Sequence, residues 1–444
     1  MRSLTIRAVL FKGFGELIPL YALYALLFAE HGLSTGQISS LFAIWSATSF
    51  LLEVPSGAWA DTVSRRALLV LSGVLLTVGF ALWTLVPTYL GFALGFVLWG
   101  TAGALVSGTF EALLYDELAA RGQRSAYARI LGYTRAATET AMVVGIVAAT
   151  PLYLWGGYAL IGWSSVGFAA VHTVFAVTMP SAPKAVSAAD IDELEDEASE
   201  LVSSEGRVST VGGHTAAAMS EGGPKAAVHD PGDAGPFARY LTMLRTGVGE
   251  AIRVRAVRNG VLLGALLFGI TAFDEYFALL AASVGVATAV VPLFVGLTVL
   301  GSLGGSLLAG RTEGISARAM ALALGLAGVL FLGGALITGL AAHRPSAVYV
   351  LVCVGFTAIG LSYGIVYNAD VVAGARLQDA IAGPARATVT SVSGLLSEVV
   401  SLVAFAFVAL ATSWWSMSTI LAIFGAAILP IAALTPSWLP RRPD

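Results

Sequence analysis

Glu16, Glu111, Glu139, Asp274, Glu275 and Glu398 each stand inside a stretch of apolar residues long enough to form a helix. In lipid, a charge at the centre of such a helix costs roughly 2.5–3.5 kcal/mol, so a carboxylate kept there points to function. A carboxyl that takes up and gives back a proton within an apolar helix is what coupling to a proton gradient requires. Spacing separates the six. Lys12 lies four residues before Glu16, and Arg135 four before Glu139, so each pair shares a helix face and is expected to neutralise itself. Glu398, Asp274 and Glu275 have no base at that spacing, which makes them the leading proton-coupling candidates. Adjacent helical positions point apart, so Asp274 ranks above Glu275. Glu111 is expected to face Arg129 or Arg135.

Aromatic residues accompany the acids: Phe14, Tyr21 and Tyr24 near Glu16, and Phe273, Tyr276 and Phe277 around Asp274. An aromatic, net-acidic cavity formed by Tyr21, Tyr24, Tyr276, Phe277 and Arg135 suits a lipophilic or cationic solute, through cation–π and charge attraction. His172 reads as a packing residue.

The elements that hold these groups follow from composition. Of 444 residues, 57% are hydrophobic, against 24 basic and 27 acidic side chains, and the mean hydropathy is +0.83. One soluble core could not bury that much apolar surface. A soluble enzyme, a nucleic-acid binder and a disulfide scaffold are therefore excluded. Cys353 is the single cysteine, so no intrachain disulfide forms, and the net charge of −3 offers nothing to a polyanion. Helical spans need about 20 apolar residues each. The apolar runs here are continuous rather than alternating, so they read as helices and not barrel strands. Twelve are expected, over residues 5–30, 35–59, 66–86, 88–117, 126–150, 157–179, 258–284, 287–310, 317–341, 346–376, 386–412 and 414–436.

The chain divides into an N-terminal six-helix bundle (1–179), a disordered cytoplasmic linker (180–250) and a C-terminal six-helix bundle (251–444). The linker holds 17 of the 51 charged residues and opens on the acidic run DIDELEDEASE, a composition too polar to build a core. With both termini in the cytoplasm, nearly every Lys and Arg outside the spans faces inward and only Arg344 faces out, as the positive-inside rule requires. The N-terminal apolar run is broken by Lys12 and Glu16 and precedes no small-residue cleavage site, so it reads as a retained helix rather than a signal peptide.

The halves echo one another. Helices 4 and 5 carry Asp116, Arg129 and Glu139; helices 10 and 11 carry Asp370, Arg386 and Glu398 in the same order. Parallel repeats around a shared central site are a transporter plan. After helix 2 the chain reads EVPSGAWADTVSRR, in which Gly57, Asp61, Arg65 and Arg66 fit G-x-x-x-D-x-x-x-R-R. This stretch, with six-plus-six helices and a long central loop, resembles the major facilitator superfamily, and the resemblance covers essentially the whole chain. It implies an all-α membrane protein of twelve helices in two pseudo-symmetric bundles. It also implies a cytoplasmic gate in which Gly57 permits close helix approach and Asp61 meets a helix N-terminus or Arg129, while Arg65 and Arg66 hold the headgroup side. The counterpart in the second half keeps Gly305 but has Ala309 at the acid position. Helix 4 has Phe96 where the family's arginine would be, and helix 5 lacks the G-P-x-x-G-G run of many drug/proton antiporters.

The expected function is a secondary transporter working by alternating access: proton-coupled export of a small lipophilic or cationic compound, with proton-symport uptake of a metabolite or sugar, or a non-transporting receptor of the same fold, as alternatives. No enzyme activity, metal or cofactor is expected; the proton gradient supplies the energy, and the sequence has no Walker pattern. Expected partners are the small-molecule substrate, protons and the lipid bilayer of the cell membrane, with no nucleic acid, and the chain is expected to work as a monomer. Small residues at four-residue spacing, Gly301–Gly305–Ala309 and Gly91–Gly95, should let helices touch. Pro19 and Pro55 are expected bend points.

Overall fold

The computed structural model describes residues 2–181, 254–381 and 386–440. The linker expected over 180–250 falls, from residue 182 on, outside the described residues. Among the described residues, ten stretches are long and apolar enough to cross a membrane. One of them, Arg124–Thr178, has 55 residues. At 1.5 Å per residue it would run about 80 Å, more than twice the hydrocarbon thickness. It does not run straight: Gly156 and Gly157 leave the helical conformation, Gly157 at φ +59°, so the stretch folds back as two legs. The helix Thr35–Thr62 adds a further leg of 28 residues.

Twelve legs result among the described residues: α1 (Arg2–Glu30), α2 (Thr35–Thr62), α3 (Arg65–Leu85), α4 (Tyr89–Ala120), α5 and α6 (the legs of Tyr127–Thr178 before and after the glycine pair), α7 (Arg255–Ser283), α8 (Val291–Thr312), α9 (Ala317–Leu340), α10 (Val348–Ala380), α11 (Arg386–Ala411) and α12 (Met417–Trp438). They match the expected spans to within a few residues. The expected spans stop short at the polar ends of α4 and α10, which continue to Ala120 and Ala380. Legs alternate in direction, so both chain ends lie on one side, here the termini face; the other is the opposite face.

Local chemistry sets the starts. Ser34 forms a capping box with Gln37, and Ser64, Thr88, Ser316 and Ser416 each accept a hydrogen bond from the backbone N–H three residues on. Each satisfies a donor that the first helical turn leaves unpaired. Within the first half, α1 packs on the α5–α6 hairpin, α3 on α4 and on that hairpin, and α2 on α4. Within the second, α9 packs on α12 and α10, α8 on α10, and α7 on α11 and α10. The halves meet where α2 touches α11 and where the α5–α6 hairpin touches α8. A six-helix shift turns the α2–α11 contact into α8–α5, so the interface repeats the internal symmetry of the chain.

Three helices are interrupted at membrane depth. In α1 the regular helix stops at Glu16 and gives way to a 3₁₀ turn over Pro19–Ala22, placing the bend at the expected proline. In α7, its six-helix counterpart, a 3₁₀ turn spans Ile270–Tyr276. In α4 the break falls at Ser107–Gly108, with Gly108 at φ +66°. Pro55, by contrast, lies inside the continuous α2.

The small-residue spacing in α8 has the expected result. A Cβ on Gly301 would stand 2.0 Å from the Gly360 carbonyl oxygen, and one on Gly305 would stand 1.9 Å from that of Gly364. Only hydrogens fit between the two backbones. Gly57 differs from expectation: nothing lies within 4 Å of the Cβ it lacks, so no neighbour among the described residues presses on it.

Candidate functional site

The breaks in α1 and α7 carry the acids. Glu16 ends the first segment of α1, and Asp274 and Glu275 occupy the 3₁₀ turn of α7. Unwinding shifts side chains off the regular helical face, so Asp274 and Glu275 both reach partners, contrary to the expectation that only one of two adjacent acids would. Tyr363 of α10 donates its hydroxyl to Asp274 Oδ2 at 2.7 Å, and Tyr24 of α1 donates to Glu275 Oε2. Around these bonds the charges gather. Glu16 and Glu275 both act electrostatically on the Tyr21 hydroxyl; Glu139, Asp370 and Asp274 act on that of Tyr367; and Glu16 feels Lys12 and Glu139. Five carboxylates, from α1, α5, α7 and α10, therefore lie within electrostatic range of Tyr21 or Tyr367. Such an arrangement can hold a cation or pass a proton, and the tyrosines supply both rings and hydroxyls.

The bases lie elsewhere than their spacing implied. Lys12 pairs with Glu111 of α4, Nζ to Oε1 at 3.4 Å, and lies 4.8 Å from the centre of the Phe110 ring. Lys12 is therefore not held by Glu16 alone, and Glu111 has a partner on α1 that its spacing did not suggest. The break at Ser107–Gly108 redirects α4 so that Glu111 turns toward α1. Arg129 and Arg135 are exposed, and Glu139 is half-buried. His172 packs as expected: its Nδ1 meets the Phe11 carbonyl oxygen at 2.7 Å, and its ring stacks on Phe11.

Of the expected cavity aromatics, Tyr21 is half-buried and stacks on Trp99 with ring centres 5.0 Å apart. Phe277 is not a cavity residue. It is buried within the second half among Phe331, Phe356 and Tyr363. Tyr24 and Tyr276 are buried as well, in contacts that join the halves. Tyr276 donates to Ser39 Oγ of α2 at 2.9 Å, Ser46 of α2 donates to Glu398 Oε2 of α11, and Phe42 meets Phe405 and Tyr276 at 5.6 Å each. Further along, Gly36 approaches the Ala409 carbonyl, which a Cβ there would meet at 3.3 Å. These contacts lie in the parts of α1, α2, α7 and α11 nearer the opposite face.

At the termini face, the expected gating motif is rearranged. Arg65 does not reach for headgroups. It is 4% exposed and pairs with Asp116 of α4 at 2.5 Å; Asp116 is buried too. Arg66 is exposed. The side chains of Asp61 and Arg386 lie outside the described residues, and the proposed Asp61 latch with them. In the second half Arg376 of α10 donates to the carbonyls of Glu313, at 2.8 Å, and Ile315, closing the α8–α9 turn. Asp370, expected near the rim, stands ten residues before the end of α10 and is half-buried.

Sequence reasoning missed Tyr363, Tyr367 and Asp370 as members of the central group, and Ser39 and Ser46 as partners across the halves. The spacing of Tyr363, Tyr367 and Asp370, four and three residues apart, is a helical face of tyrosine and acid that signals them. For the two serines no sequence signal distinguishes them from helix-surface residues.

A family model described as Major Facilitator Superfamily matches residues 8–376. No curated protein matches the chain. Among solved structures, a variant of the nucleoside transporter NupG aligns with a TM-score of 0.68 at 11% identity, covering 98% of this chain and 99% of that one. A POT family transporter in complex with 5-aminolevulinic acid aligns at 0.62 and 13% identity, covering 97% and 95%. One in complex with a thioalcohol-conjugated peptide aligns at 0.59 and 14%, covering 96% and 94%. At these identities the likeness is one of fold.

Proposed function

The chain belongs to the Major Facilitator Superfamily, and from that membership we propose that it is a proton-coupled secondary transporter that exports a small cationic or lipophilic compound by alternating access. The observation that carries the proposal is the placement of acids at the breaks of α1 and α7: Glu16 ends the first segment of α1, and Asp274 and Glu275, in the 3₁₀ turn of α7, take hydroxyls from Tyr363 and Tyr24. Lys12, the base that acts on Glu16, is already matched by Glu111. The site therefore favours a positive guest, and the aromatic rings add cation–π attraction worth about 0.5–2 kcal/mol. A proton and a cation that compete for the same carboxylates exchange across the membrane, provided the two occupied states open to different sides.

The contacts between halves support the conformational part of the reading. They lie toward the opposite face, so this is a state closed there. With both termini in the cytoplasm, as the placement of Lys and Arg indicates, it is the inward-open state. Two such states need to differ by only a few kcal/mol for a proton or cargo to shift the balance. The membrane potential contributes on the same scale, about 2.3 kcal/mol per charge across 100 mV.

The nucleoside and peptide transporters that share the fold make a polar metabolite the rival cargo. Proteoliposomes with an imposed pH gradient of either sign separate the readings. Uptake of a lipophilic cation such as tetraphenylphosphonium into vesicles that are acidic inside supports exchange. Accumulation of nucleosides or peptides driven by inward proton flow, with no movement of cations, would overturn it.

A further inference from the structure

The carboxylates Glu275 and Glu398 belong to the second half, yet each takes a hydroxyl from the first: Tyr24 of α1 donates to Glu275, and Ser46 of α2 donates to Glu398. A third bond crosses in the other direction, from Tyr276 to Ser39 at 2.9 Å. We propose that Tyr24 is a gate residue that competes with the cargo for Glu275, with Ser46 holding the same closure through Glu398, so that cargo binding itself loosens the closure of the opposite face. The proposal rests on the cation-transport reading above and adds to it the means by which an occupied site signals the gate.

Geometry supplies the argument. Glu275 is part of the central acid group, since it acts on Tyr21 together with Glu16, and it also carries the cross-half bond to Tyr24. One residue therefore stands in the site and in the closure at once. Its next neighbour, Tyr276, carries the second cross-half bond, and Phe42 packs against that same ring. A cation drawn to Glu275 takes up the lone pairs that the Tyr24 hydroxyl uses. The hydroxyl loses its acceptor among apolar neighbours, Phe28, Phe42, Trp83 and Phe96, where an unmatched polar group is costly. The inexpensive solution is separation of α1 from α7 at this end. Because the Tyr24 ring is held by those neighbours, Tyr24→Phe removes the hydroxyl and keeps the packing.

The test has two readouts. Competition predicts that Tyr24→Phe binds tetraphenylphosphonium about tenfold tighter than wild type, since the hydroxyl no longer occupies the carboxylate. A tyrosine with a purely structural role would give unchanged or weaker binding, and that result overturns the proposal. The second readout needs no cargo. Spin labels at Ala29 and Ser283, both exposed on touching segments of α1 and α7, in a Cys353→Ser background, report the closure directly. In Tyr24→Phe/Ser46→Ala the separated population should rise severalfold over wild type. An unchanged distance distribution overturns the gate even if the wild type transports cations. Failure of the wild type to move the cation sinks the cargo reading, while the spin-label result still decides whether these hydroxyls hold the gate.

Discussion

The Arg65 guanidinium lies 2.5 Å from the Asp116 carboxylate, with both side chains 3% exposed, and it ties the first residue of α3 to the end of α4. A buried pair is expensive to half-remove, because the surviving charge loses a counter-ion in a low-dielectric site. Asp116→Asn should therefore destabilise the protein by about 3–5 kcal/mol, seen as a lower thermal midpoint in detergent micelles. A change under about 1 kcal/mol would mean that Arg65 is satisfied from elsewhere.

Lys12 and Glu111 form a second pair, less buried, with side chains 26% and 11% exposed. Solvent screens part of the interaction, so Glu111→Gln should cost less, about 1–2 kcal/mol. Replacing both partners, as Lys12→Met with Glu111→Met, should recover most of that loss. A double variant no more stable than the worse single one would deny the coupling.

Glycine-to-alanine changes along α8 should divide sharply. At Gly305 the new methyl would stand 1.9 Å from a carbonyl oxygen of α10, and the helices must move apart at a cost of about 3 kcal/mol or more. At Gly304, where nothing lies within 4 Å, the same change should be neutral or slightly stabilising through helix propensity. Equal thermal midpoints for the two variants would contradict the packing.

Asp274 of the centre and Glu398 of the closure should fail in transport and not in folding when neutralised. Asp274→Asn and Glu398→Gln keep shape and hydrogen-bonding capacity while removing the titratable group. Both should abolish proton-driven flux in proteoliposomes and leave the elution profile and thermal midpoint near wild type. Full gradient-driven flux in both variants would remove these residues from the coupling path.

Asp61→Asn tests the last turn of α2. If Asp61 holds the halves together at the termini face when the other face opens, its loss should shift the population further toward the state described here. Unchanged distances between spin labels on the two halves would count against that latch.

Much of the fold was legible because lipid makes the rules simple. Apolar length gives the legs, and Gly301 and Gly305 mark where backbones touch. The α5–α6 hairpin was legible as two spans although the helix barely pauses, since length alone demands a turn at Gly156–Gly157. The pairing of charges was not legible. Spacing of four residues placed Glu16 beside Lys12, but that rule describes an unbroken helix standing alone, and Lys12 reaches across to Glu111. The interruption of α4 turned Glu111 toward Lys12, and the unwinding of α7 gave Asp274 and Glu275 separate partners in α10 and α1. Contacts between helices outrank contacts within one wherever a backbone break frees a side chain to rotate.

The seam between α8 and α10 has a mechanical consequence. Two backbones touching at Gly301–Gly360 and Gly305–Gly364 leave no flexible side chain to absorb displacement, so these rods travel as one stiff plate. Any elastic yielding in that half is then concentrated in the unwound stretch of α7, next to the plate and carrying the charges that the guest would meet. A stiffer seam would sharpen the response of that joint, and a looser one would let the pull of the guest dissipate before reaching the far rim.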